Sequence, residues 1–291
     1  MRLAIWIEGA RPKTLIASIS PVVIGTAIAN DHAGFSYITF LMTLLTAIFL
    51  QIGTNLANDY FDAKKGSDNS DRIGPRRMMQ ARLTSDLTMK RAIFTSFLIA
   101  TGACIYLIVL GGPLISYLLL LAVVLGIGYT AGPYALAYLG LGDFFVFFFF
   151  GPVATGMTTY LYTQTFLWDA FVAGIGPGAI STAILATNNL RDRLSDERSS
   201  KKTLVVRFGE TFGRWEYTTL LLIALSLPLV MRIVFHYNSL ILLTSLLFLF
   251  AILLIKDLFF AKTSYDYIPL LPKTSLLLAL YTLLFSLGLL T

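Results

Sequence analysis

Nine stretches of this chain are apolar for long enough to cross a lipid bilayer, and that one feature leaves few folds open to it. They run over roughly 14–30, 37–57, 91–110, 113–130, 142–162, 168–188, 215–235, 239–257 and 273–290. A spanning helix needs about 20 mostly apolar residues. The composition agrees: 56% of the residues are hydrophobic and 13% charged, against about 25% charged in an ordinary soluble domain. The expected fold is an all-α integral membrane bundle of about nine transmembrane helices, with 1–291 as a single polytopic domain. Only Gly111 to Pro113 separates the third run from the fourth, and Gly151-Pro152 is placed to kink the fifth.

The charges fall on one side. Arg2, Arg11 and Lys13 precede the first run, and eight Lys and Arg, from Lys64 to Arg91, follow the second. Seven more, from Arg191 to Arg214, follow the sixth, and Lys256, Lys262 and Lys273 lie in the loop after the eighth and its flanks. Of the 22 basic residues, 21 therefore share one face, and only Arg232 lies elsewhere. The positive-inside rule makes that face cytoplasmic. The net charge of +6 is then topological, and no nucleic acid is called for. The N-terminal MRLAIWIEGARPKTL does not read as a signal peptide, because Glu8, Arg11 and Lys13 interrupt it. The single cysteine, Cys104, sits inside an apolar run and reads as a buried hydrophobe. Two isolated histidines, His32 and His236, do not make a metal site.

Two long charged loops, 58–90 and 189–214, begin on the basic face, four helices apart, which hints at an internal duplication. Each opens on acidic residues at helical spacing. In NLANDYFDAKKGSD, Asn58 and Asp62 are i,i+4 neighbours, and Asn55, Asp59 and Asp62 form another row. Asp68 follows Gly66, where the backbone can turn. In NNLRDRLSDERSSKK, Asn188, Asp192 and Asp196 are spaced i, i+4, i+8 along one stripe. A solvated loop explains one such motif as well as a site does. Two on one face, each with Asn one turn before Asp, favour a site. Carboxylates at this density suit hard divalent cations, which take one or two carboxylates and complete their shell with phosphate oxygens. The Lys and Arg after each motif suit the remaining phosphate oxygens. The constellation reads as a diphosphate site.

Taken with ARPKTL near the start and YTAGPYALAYLGLGD in the middle, the segments NDYFDAKKGSDNSDRIGPRRMMQ and NNLRDRLSDERSSKKTLVVRFG resemble the UbiA superfamily of membrane prenyltransferases. The finer likeness is to its MenA branch, the 1,4-dihydroxy-2-naphthoate polyprenyltransferases. The sequence departs from the wider pattern at Gly66, where a carboxylate is common and Asp68 substitutes, and at Ser200, where glycine is common. The resemblance implies helices around a central cavity capped by the two cytoplasmic loops. It also implies a polyprenyl diphosphate donor, a dihydroxynaphthoate acceptor, and demethylmenaquinone, CO2 and diphosphate as products of menaquinone biosynthesis. A prokaryotic plasma membrane is the expected setting.

On this reading Mg2+ is the cofactor. Asn58, Asp59, Asp62 and Asp68 serve one metal position, and Asn188, Asp192 and Asp196 the other. Arg72, Arg77 and Lys201 contact the diphosphate. Asp59, Asp62, Asp192 and Asp196 are the expected catalytic carboxylates. Tyr129, Tyr138 and the rings from Phe144 to Phe150 could shield an allyl cation, although packing explains a Phe stripe as well. Asp143 reads as a helix cap and Asp169 as an anchor at the opposite interface. The alternatives are a sibling enzyme acting on hydroxybenzoate or homogentisate, and a cation-coupled transporter. A transporter would carry its charges nearer the bilayer midplane.

Overall fold

A computed structural model describes residues 2–66, 73–74 and 76–291. Among them the chain is helical throughout and has no strand. The first helix, α1 (Arg2–Ala10), was not expected from hydropathy. Eight longer helices reach spanning length: α2 (Pro12–Ala33), α3 (Tyr37–Lys64), α4 (Asp86–Gly111), α6 (Gly142–Thr163), α7 (Trp168–Arg198), α9 (Glu210–Val234), α10 (Ser239–Phe260) and α11 (Ser264–Leu289). Between α4 and α6 lies the shorter α5 (Pro113–Gly128). Its 16 residues rise about 24 Å, less than the roughly 30 Å of a bilayer's hydrocarbon. All nine apolar runs are thus helices, and the fourth is the short one. A five-residue helix, α8 (Leu204–Phe208), joins α7 to α9.

Local chemistry sets the ends. Ser36 caps α3 by accepting from the Thr39 amide, and Ser85 caps α4 by accepting from Thr88. Pro12 and Pro113 stand in the first turns of α2 and α5, where a missing N–H costs nothing. Gly112, at φ +75°, makes the break between α4 and α5. The kink in α6 falls where the sequence places it, with Gly151 out of helical conformation at φ −131°, ψ −111°.

That kink allows a close approach. A Cβ on Gly151 would lie 2.5 Å from the Gly174 carbonyl oxygen and 2.7 Å from the Gly178 Cα. Small residues let helices pack backbone to backbone in this way inside a membrane. α7 is the central post of the bundle, the most deeply buried of the long helices, and it packs against α2, α6, α9 and α11. The main apolar core gathers α2, α7, α9, α10 and α11. On the other side, α3, α4 and α5 stand further out, and α5 has only Ile115 buried. Between the two groups lies a cavity of about 250 Å3, walled by α2 to α6 and almost wholly apolar.

The two ends differ. One carries both acidic motifs and the loops that hold them. At the other, the only two histidines lie with Asp31, Asp169 and Tyr237. There the Tyr237 hydroxyl donates to Asp169 at 2.7 Å, so Asp169 anchors that interface as expected.

Candidate active site

α3 does not end where its apolar run ends. It continues to Lys64, so the first motif is helical and rides above the cavity. Asn58, Asp59 and Asp62 are all buried there. The two rows read from the sequence face different neighbours. Asn58 accepts from the Thr130 hydroxyl at 2.9 Å, and Asp62 accepts from the Tyr138 hydroxyl at 3.2 Å. Asn55 instead donates to the Ala10 carbonyl at the elbow between α1 and α2. Asp59, on that same side, accepts from the Met78 amide at 2.8 Å and the Met79 amide at 3.1 Å. Asp59 and Asp62, assigned to one metal position from the sequence, therefore have different partners. Asp68 and Arg72 lie outside the described residues.

The second motif forms the last turns of α7. Asp192 takes a bidentate contact from the neighbouring Arg191, at 2.6 and 2.8 Å. Asp196 is buried and faces Lys201 at 3.6 Å. Asn188 is half-buried on the predicted stripe. Its neighbour Asn189, not singled out from the sequence, is buried and donates to Asp143 at 3.3 Å. Asp143 is thus more than a cap, since it ties the start of α6 to the motif on α7. Arg77 lies buried against Asp62, with 3.4 Å between nitrogen and oxygen.

What joins the motifs is the segment 129–141. Toward α3 it offers Thr130 and Tyr138, and its Gly132 carbonyl accepts from Lys65 at 2.8 Å. Toward α7 its Tyr138 carbonyl accepts from the Lys202 amide at 3.2 Å. The Leu139 carbonyl accepts from Arg207 at 2.9 Å. The Lys65 ammonium also sits 4.2 Å from the centre of the Tyr138 ring. Burial lowers its pKa, against the opposing pull of Asp62. At the floor of this bridge stands Tyr129, which also lines the cavity. Burial pushes its hydroxyl well above the usual tyrosine range, and the carboxylates of Asp143, Asp62 and Asp196 push it further. Carboxylates from α3, α6 and α7 thus all act on one phenol. Arg11, at the α1–α2 elbow, acts on Tyr129 in the opposite sense.

Among the described residues no three His, Cys, Asp or Glu side chains come close enough to hold a metal unaided. The donor set nevertheless fits a hard cation shared with a ligand. Asp62 on α3 and the segment after Asp196 on α7 both bond to the 129–141 bridge, which suits an ion taking one or two carboxylates and completing its shell with phosphate oxygens. Below the mouth, Gln51, Thr54 and Tyr129 grade into a wall of Leu, Ile, Val and Phe. Along α3, from Thr54 down to Thr43, that wall descends about 17 Å.

The sequence matches the UbiA prenyltransferase family over residues 18–268. The chain belongs to that family. It is 37% identical over 297 residues to the 1,4-dihydroxy-2-naphthoate octaprenyltransferase of Escherichia coli (strain K12), covering 99% of this chain and 95% of that one. To the enzyme of the same description from Haemophilus influenzae it is 36% identical, over 99% and 96% of the two chains. Two solved structures share the fold at 12% identity. The apo UbiA homolog from Aeropyrum pernix K1 has a TM-score of 0.68 over 94% of this chain and 98% of that one. The Archaeoglobus fulgidus UbiA homolog bound to DMAPP and Mg2+ has 0.61 over 97% and 99%. As a member of the family the chain is a prenyltransferase, and the resemblance seen in its acidic motifs extends over most of its length.

Proposed function

We propose that this prenyltransferase carries a polyprenyl group from a polyprenyl diphosphate to 1,4-dihydroxy-2-naphthoate, giving the quinol form of demethylmenaquinone for menaquinone biosynthesis. The observation that carries the reading is that one residue of the 129–141 bridge, Tyr138, bonds both to Asp62 on α3 and to the segment that follows Asp196 of α7, above an apolar cavity. A diphosphate belongs at the mouth and its hydrocarbon tail below. The acceptor follows from the full-length likeness to naphthoate octaprenyltransferases.

Asp62, Asp192 and Asp196 would hold Mg2+, with Asn58 and Asn188 beside them. When bound, the ion neutralises charge that grows on the leaving diphosphate oxygens. Arg77 has a second task. It pairs with Asp62 in this structure, and its guanidinium suits a diphosphate oxygen once a cation takes over the carboxylate. Lys201, held near Asp196, serves the same diphosphate from the α7 side. Arg72 would join them from the loop after α3.

The allylic C–O bond breaks and diphosphate departs with the electron pair. The ring carbon that bears the carboxylate forms the new C–C bond, and its bond to the carboxyl carbon breaks to release CO2. No ring proton has to be removed, and both histidines lie at the far end. The apolar walls under Tyr129 keep water from the cation, which would otherwise quench it to a prenol. The basic end faces the cytoplasm, by the asymmetry of Lys and Arg, in the plasma membrane of a prokaryote.

The test is a prenyl-transfer assay in purified membranes with geranylgeranyl or a longer polyprenyl diphosphate and dihydroxynaphthoate, with and without Mg2+. Asp62→Ala and Asp192→Ala run beside it. The expected result is a Mg2+-dependent demethylmenaquinol product, read as the quinone after oxidation in air, with CO2 release, lost in both variants. Transfer to hydroxybenzoate or homogentisate alone would overturn the acceptor and leave the site.

A further inference from the structure

Of the two described carboxylates in the first acidic motif, Asp62 bonds to the bridge and Asp59 bonds to the turn at 77–83. We infer that Asp59 is a positioning residue that anchors the turn at 77–83, and with it Arg77 beside Asp62, and that it does not ligate the metal. What the loop acts on rests on the diphosphate reading above; the anchor itself stands on geometry alone.

Asp59 is 3% exposed. Each of its carboxylate oxygens accepts one backbone amide, Oδ2 from Met78 and Oδ1 from Met79. Charge-assisted bonds of this kind are about twice as strong as neutral ones. The donors to Asp59 are backbone amides of a folded turn, which cannot swing aside for a cation as the side chains bonded to Asp62 and Asp192 can. Asp62, one turn further along α3, faces Tyr138 and Arg77 instead.

The loop hangs from those two amides as a compact turn. The Met78 carbonyl accepts from the Leu83 amide at 2.9 Å, and the Arg77 carbonyl from the Ala81 amide at 3.0 Å. Its side chain is locked as well. Met78 is 2% exposed and packs with Leu56, Tyr60 and Met89, with Ile5 and Trp6 of α1 against them. α1 crosses so closely that a Cβ on Gly9 would collide with the Met78 sulfur. Arg77 immediately precedes this double anchor, so Asp59 and α1 together fix the point from which its guanidinium reaches Asp62.

Hydrogen exchange on the metal-free protein reads the anchor directly. In Asp59→Asn, exchange at the Met78 and Met79 amides should rise about tenfold or more, as expected for losing a charged acceptor. In Asp62→Asn it should stay at the wild-type rate. In transfer assays, Asp59→Asn should raise the donor KM about tenfold and leave the Mg2+ half-saturation within about twofold. Met78→Ala loosens the same loop without touching a carboxylate, and it should reproduce the donor KM defect. Unchanged amide exchange in Asp59→Asn, or a Mg2+ half-saturation raised tenfold at constant donor KM, would overturn the assignment. If the wild type failed to prenylate naphthoate, the exchange comparison would still decide the role of Asp59.

Discussion

Gly151→Ala tests the joint between the two halves of the bundle. The added methyl would meet the Gly174 carbonyl oxygen at 2.5 Å, where ordinary contact begins at 3.4 Å. The difference, 3.4 − 2.5, requires α6 and α7 to part by about 0.9 Å, because both obstacles are backbone and neither can rotate away. Overpacking of this kind costs about 2 kcal/mol, or roughly 5 °C in melting temperature for a chain of this size. The same motion stretches the 3.3 Å bond between Asn189 and Asp143, so kcat should fall with stability. Gly102→Ala is the internal control. It lies on α4 with nothing within 4 Å of an added Cβ, and helix propensity alone should make it neutral or stabilising by up to about 1 kcal/mol. Differential scanning fluorimetry in detergent, paired with prenyl transfer, reads both. Equal melting temperatures for Gly151→Ala and Gly102→Ala would refute the claim that α6 and α7 meet backbone to backbone.

Other consequences can be checked in the same preparations. Tyr138→Phe removes the hydroxyl that donates to Asp62, and kcat/KM should drop about tenfold or more, the usual scale for a hydrogen bond to a charged group. Asn189→Leu leaves Asp143 without its amide donor; a loss of about 1–3 kcal/mol in stability is expected on thermal or denaturant melting. Ser200 holds φ +58°, a left-handed conformation costly for any side chain, so Ser200→Gly should stabilise by about 1 kcal/mol. An unchanged melting temperature would show that the loop relaxes. Arg77→Ala frees Asp62 of its guanidinium; isothermal titration should show tighter Mg2+ binding without donor, alongside a raised donor KM.

The sequence by itself determined the class of fold, the polar end and the two acidic motifs. Hydropathy is a one-dimensional property, and a bilayer forces each long apolar run to be a helix. Helical spacing also told correctly which side chains share a face, as with Asn58 and Asp62. It could not tell what stands opposite that face. Asn55 and Asp59 fit the same rule, yet they look toward α1 and the loop at 77–83, and only tertiary packing put those elements there. α1 escaped notice because nine residues with Glu8 among them carry no spanning signal. The bridge at 129–141 has neither helical nor strand periodicity to betray it, although YTAGPYALAYLGLGD was legible as a likeness. Its role comes from contacts with residues more than 60 positions away on both sides, at Asn58 and Asp62 and again at Lys202 and Arg207. Separation in sequence hides such pairs, because nothing local in either partner encodes the other. The cavity is likewise a property of the whole bundle, walled by side chains from α2 to α6 that lie far apart in the sequence.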